Sequence, residues 1–132
     1  LLAGDGVHLH SPDGSIDHRL DQALQPFAFS GDVALDCDLL GGPSSDFNVM
    51  TRRGVVRAQV SIHRGGCVQV KAPHGLLLAC AGQWQLADSA LQAGAQDGVY
   101  WAAQAGQVVE ASATSDDAVL IAVALNEVAQ GA

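Results

Sequence analysis

Residues 39–53, LLGGPSSDFNVMTRR, concentrate more unlike functional groups than any other stretch of the 132-residue chain. Asp46 accepts hydrogen bonds, Asn48 both donates and accepts, Met50 is soft and apolar, and Arg52 and Arg53 are permanent cations. The chain holds only six Lys and Arg residues, so two adjacent ones here suggest a purpose. An arginine fork matches a carboxylate, and an asparagine amide can recognise an amide or formyl oxygen. Together they suit capture of a small anion, with Phe47 and Met50 shaping the wall. Strand alternation would place Asp46, Asn48, Met50 and Arg52 on one face, and Phe47, Val49, Thr51 and Arg53 on the other. Arg52 and Arg53 then share a pocket only across a bulge. Arg52 is therefore the expected anion holder, with Asp46 orienting an arginine. The structural alternative is an internal network. In it Asp46 caps a turn, Asn48 bonds backbone, and the arginines offset an acidic surface.

GGPSSDFNVMTRRG resembles the signature of the HutD/Ves family of bacterial bicupins. The preceding PFAFSGD agrees in order and spacing, as do the LLL run, the Trp strand and the apolar closing strand that follow. The resemblance spans essentially the whole chain. It implies an all-β, cupin-type jelly roll, a bicupin with two similar half-barrels. It also implies a single domain over 1–132, its halves at about 1–70 and 71–132. For function it implies a small-molecule-binding protein in the control of histidine utilisation. N-formylglutamate or a related intermediate would be the ligand. The Ves branch implies instead a stress-associated protein of unknown chemistry. Family members usually carry more chain upstream, including a Trp/Asn/Gly-rich segment that nothing here matches.

The remaining inventory is thinner. His8-x-His10 would put two imidazoles on one side of a strand, as cupin metal sites require. No Glu follows at the cupin spacing, and Asp13 and Asp17 are the nearest carboxylates. We therefore expect no metal and no other cofactor. The competing enzyme class would be a metal-assisted hydrolase or isomerase using His8, His10 and His63; the balance leans against an enzyme. His18 and His74 are scattered. Asp36 and Asp38 share an outward strand face and read as solubilising charges rather than a glycosidase pair. Neither a nucleophile elbow nor a phosphate-cradling glycine loop occurs. Trp84, Tyr100 and Trp101 suit core packing before ligand stacking.

A net charge of −8 repels nucleic-acid backbones and anionic membranes, so neither is an expected partner. An anionic ligand must then be captured locally, which again singles out the arginines. Charged residues make up 15% and apolar ones 48%, which suits a heavily buried fold. Cys37, Cys67 and Cys80 form no CxxC pair and read as reduced thiols of a cytoplasmic protein. A homodimer would cover any sheet edge left open by missing strands.

These groups must be held by strands. Short apolar runs separated by Gly and Asp turns predict an all-β barrel or sandwich. Expected strands are 1–10 with a bend, 25–29, 33–40, the signature itself, 55–63, 67–70, 76–81, 83–86, 99–102, 108–113 and 118–125. SPDGS at 11–15 reads as a hairpin turn. Residues 16–24 are a strand or a loop. Turns are expected at 30–32, 72–75, 104–107 and 114–117, and Ala87–Ala95 is the sole, weak helix candidate. Leu1–Leu9 parallels Leu78–Leu86 in pattern, as an internal repeat would.

Overall fold

A computed structural model describes residues 1–93, 97–103 and 105–129 of the chain. Eleven strands occur among the described residues, and no helix. The chain divides into two compact units, Leu1–Met50 and Thr51–Ala132. The strands between 56 and 71 pair only within the second unit.

The first unit holds a three-stranded antiparallel sheet: β1 (Val7–His10), β2 (Asp17–Leu20) and β3 (Asp36–Leu39), in the order β2-β1-β3. The expected SPDGS hairpin joins β1 to β2. Asp13 builds it, because its Oδ1 accepts from Ser11 Oγ at 2.6 Å, Ser15 Oγ at 2.7 Å and the Ser15 N–H at 3.0 Å. These three donors favour the charged carboxylate and lower its pKa from 3.8 to about 2, the Ser11 bond contributing most.

Two expectations for this unit fail. Residues 25–29 are not a strand; Phe27 instead stacks on His18 with ring centroids 3.7 Å apart. The strand at 33–40 shortens to β3, and its four residues are all exposed, with Leu39 at 65%. Asp36 and Asp38 alternate with its apolar residues on an edge of a three-stranded sheet, which leaves little to bury it.

The second unit is two antiparallel four-stranded sheets. One runs β5 (Cys67–Lys71), β10 (Val108–Ala113), β7 (Gln83–Gln85), β8 (Ala90–Gln92). The other runs β4 (Val56–Arg64), β11 (Val119–Glu127), β6 (His74–Ala81), β9 (Gly98–Trp101). One cluster of buried side chains draws on both, among them Val68, Val70, Leu77, Trp84, Leu91, Trp101, Ala111 and Leu120. β5 shows the code plainly: Val68 and Val70 point in, while Cys67, Gln69 and Lys71 point out. β11 is buried without a break from Val119 to Val123, as a central strand of apolar residues should be.

The two tryptophans fill the core, as expected, whereas Tyr100 between them in the sequence is 79% exposed. The Trp101 indole N–H donates to the Ala72 carbonyl at 2.9 Å. The Trp84 Nε1 has no partner among the described residues. The helix candidate at 87–95 is replaced by β8, which pairs with β7 from Gln83↔Gln92 to Gln85↔Ala90; Gly94 and Ala95 lie outside the described residues. Of the turn at 104–107, Gln104 also lies outside them. The proposed repeat is uneven. Leu78–Leu86 is strand, glycine break and strand, but in Leu1–Leu9 the first part makes only one bridge, Ala3 to Ser45.

Candidate functional site

The signature segment is not a strand. Its first half is pinned to residues 2–6 of the first unit. The Gly42 N–H donates to Asp5 Oδ2 at 2.7 Å, and the Gly6 N–H donates to Ser44 Oγ at 2.8 Å. Ser45 exchanges backbone bonds with Ala3, and its carbonyl also accepts from the Leu2 N–H at 2.7 Å. Pro43 lacks an N–H and cannot donate to a ladder, and residues 46–52 run on as irregular chain. The facial alternation expected for 46–53 therefore does not apply.

Within the first unit, Asp46, Asn48 and Met50 are exposed, Met50 at 90%, and Phe47 is half-buried. Asp46 Oδ1 lies 3.5 Å from the Leu1 amino nitrogen. In the second unit, Arg52 and Arg53 are both exposed. The Arg52 carbonyl accepts from the N–H groups of Val55 and Val56 at 3.2 and 3.1 Å, closing a turn through Gly54 into β4. The side chains of Asn48 and Arg52 have no hydrogen-bond or ion-pair partner among the described residues.

A second polar cluster lies on the first unit's sheet. β1 presents His8 and His10 on one face. Across β1, Arg19 stands opposite His8 and Asp17 opposite His10; on the other side Asp38 stands opposite His8 and Asp36 opposite His10. The contacts run diagonally. His8 Nε2 is 2.6 Å from Asp17 Oδ1, and His10 Nε2 is 2.9 Å from Asp38 Oδ2. The imidazole rings sit 5.0 Å apart and tilted by 41°. The hydrogen bond to His8, with the imidazole charge adding, holds the Asp17 carboxyl below its ordinary range. Asp38 had no signal in the sequence beyond its alternation, because its partner histidine lies 28 residues away.

The second unit has a cleft of about 170 Å³ between β4, β5 and β11, lined by Gln59, Ser61, His63, Gln69 and Lys71 over an apolar floor that includes Ala122. Ser61 Oγ and His63 Nε2 are hydrogen-bonded at 2.8 Å. The Gln69 amide donates to Glu110 Oε2 at 2.6 Å. His63 lies in this cleft and not with His8 and His10, which belong to the first unit. Ser61 follows from the period-two alternation of β4, whereas Lys71, the chain's single lysine, reaches the cleft from β5 and has no signal within β4.

No helix among the described residues is long and apolar enough to cross a membrane. In sequence, the chain is 41% identical over 92 residues to Protein Ves of Escherichia fergusonii, a match over 69% of this chain and 47% of that protein. The chain thus spans about half the length of that relative. In structure it is similar to HutD from Pseudomonas fluorescens SBW25, with a TM-score of 0.77 and 24% identity, over 98% of this chain and 65% of that one. This likeness shows the all-β, cupin-type fold expected from the sequence. The family model described as HutD matches residues 1–120, and the chain accordingly belongs to the HutD family.

Proposed function

We propose that this HutD-family chain serves as a binding protein for a small anionic metabolite, of which N-formylglutamate is the type, and so acts in the control of histidine utilisation. The observation that carries the proposal is that Asn48 and Arg52 are exposed and have no intramolecular partner among the described residues. An exposed arginine and amide within a signature that resembles the family's are groups held ready for something outside the chain. Arg52 would take the ligand carboxylate in a two-point bond, and Asn48 its formyl or amide oxygen. Phe47 and Met50 would supply apolar contact, with Arg53 and Asp46 setting the local charge. The protein would work in the cytoplasm, for which its three free thiols are the support.

Thermal-shift titration with N-formylglutamate, urocanate, histidine, glutamate and formate tests this. A ligand at a hundred times its dissociation constant adds roughly 2.7 kcal/mol to stability. The expected result is a shift with one acid, lost in Asn48→Ala and in Arg52→Ala. Both residues are exposed, so neither change should lower the unliganded melting temperature. No shift with any of the five, or a shift that survives both substitutions, rejects the proposal.

A further inference from the structure

We propose that the polar face of the first unit's sheet binds a divalent transition-metal ion, zinc foremost, through His8, His10 and Asp38. One donor atom from each of the three lies within 4.8 Å of the others. The placement follows from strand geometry. The two-residue period puts both imidazoles on one face of β1. Antiparallel pairing sets Asp38 directly opposite His8, while its Oδ2 already reaches His10 Nε2 at 2.9 Å. One carboxylate thus stands across the ladder from one histidine and is bonded to the other.

Zinc holds imidazole and carboxylate ligands at about 2.0–2.2 Å, so two ligands at a tetrahedral angle lie roughly 3.4 Å apart. The His10–Asp38 pair is already near that bite. The His8 and His10 side chains are 31% and 35% exposed and Asp38 71%, so small rotations can close the set. Asp17 falls outside the donor group but lies 2.6 Å from His8 Nε2. A carboxylate on the far nitrogen of a metal-bound imidazole fixes its tautomer and orientation. In that arrangement Nδ1 of His8 coordinates and Asp17 is a positioning residue.

Two imidazoles and one carboxylate favour zinc, cobalt or nickel over magnesium or calcium, which prefer all-oxygen sites. The charge on the face also fits. Asp17, Asp36 and Asp38 outnumber Arg19, whose Nε is engaged by Asp21 at 3.1 Å. Three protein ligands leave a fourth position open to solvent. This site is separate from the residues proposed for the anion, and neither proposal depends on the other.

The test is calorimetric titration of the chelator-treated, desalted chain with zinc chloride, with cobalt(II) absorption as a second readout. One equivalent of zinc should bind, magnesium should not, and bound cobalt should show the visible bands of a nitrogen- and oxygen-ligated ion. His8→Ala, His10→Ala and Asp38→Asn should each abolish or weaken binding more than tenfold. Asp17→Asn should weaken it about 10–100-fold, the usual effect of losing a supporting hydrogen bond. Asp36→Asn, on the same face but outside the donor set, should bind like the parent. Asp38→Asn is isosteric and on an exposed strand, so its melting temperature should match the parent even if a histidine variant's does not. No zinc binding by the parent, or binding that survives both His10→Ala and Asp38→Asn, overturns the proposal.

Discussion

Replacing Gly75 by alanine should destabilise the second unit, although adding a methyl group to a strand glycine ordinarily helps. A compatible Gly→Ala change stabilises by about 0.4–1 kcal/mol through the unfolded chain. Gly75 has no positive φ, so the backbone itself would accept alanine. The obstacle is space. The new Cβ would sit 2.6 Å from Trp101 Cη2 and 2.6 Å from the Val123 carbonyl oxygen, and would overlap Cζ2 of the same ring. Trp101 lies directly across the ladder on β9, Val123 is paired to Leu76 on β11, and the indole is tethered to Ala72. Neither neighbour is a flexible chain end. Overpacking a filled core costs about 1–3 kcal/mol. A displaced indole would also lose its hydrogen bond, adding about 1 kcal/mol. With the unfolded-chain gain subtracted, the net loss should be about 1–3.6 kcal/mol, or roughly 4–14 °C in melting temperature for a domain of this size. Both tryptophans of the chain, Trp84 and Trp101, belong to the second unit, so their fluorescence in a urea titration reports on it. The same substitution made in Trp101→Ala should cost clearly less, since the ring would be gone. A Gly75→Ala protein as stable as the parent would refute the close-packing account. An equal loss in the Trp101→Ala background would move the clash to the Val123 carbonyl.

Two further outcomes follow from the same structure. Cys37 and Cys67 are exposed and Cys80 is partly buried, with burial raising the Cys80 thiol above its ordinary value. A thiol reagent near pH 8 should therefore modify two cysteines quickly and Cys80 slowly, and mass spectrometry of digested samples would show a contrary order if the packing at β6 is misjudged. Asp13 has its folded pKa lowered to about 2 from an ordinary 3.8, so its stabilising effect is complete above pH 3.8 and disappears as pH falls toward 2. Asp13→Asn should flatten the loss of hairpin stability between pH 4 and pH 2, read from amide shifts of Ser11 and Ser15; an unchanged acid profile would remove Asp13 from the turn.

The all-β class, most of the second unit's strands, the SPDGS hairpin and the burial of both tryptophans were determined by the sequence alone. Each rests on a local signal: period-two alternation at Val56–Arg64, the apolar runs at His74–Ala81 and Val119–Glu127, and glycine or aspartate turns. Val68 and Val70 of β5 and Leu77 and Ala79 of β6 keep that patterning against a shared core, whereas on β4 the polar Gln59, Ser61 and His63 share the face of Leu120 and Ala122. The family signature was legible too, as a string of residue types.

What its segment does was not legible. Asp46 to Arg52 looked like an alternating strand, yet the Gly-Gly-Pro-Ser-Ser turn spends its hydrogen bonds on residues 2–6, more than thirty positions away in sequence. The pairing of Asp38 with His10 was equally hidden. A cross-strand diagonal depends on the β1–β3 register, which no spacing within either strand encodes. Sequence set the chemistry available along each strand. Only tertiary pairing decided which of those groups meet, because strand partners are chosen by long-range hydrogen bonding and burial rather than by neighbours in the chain.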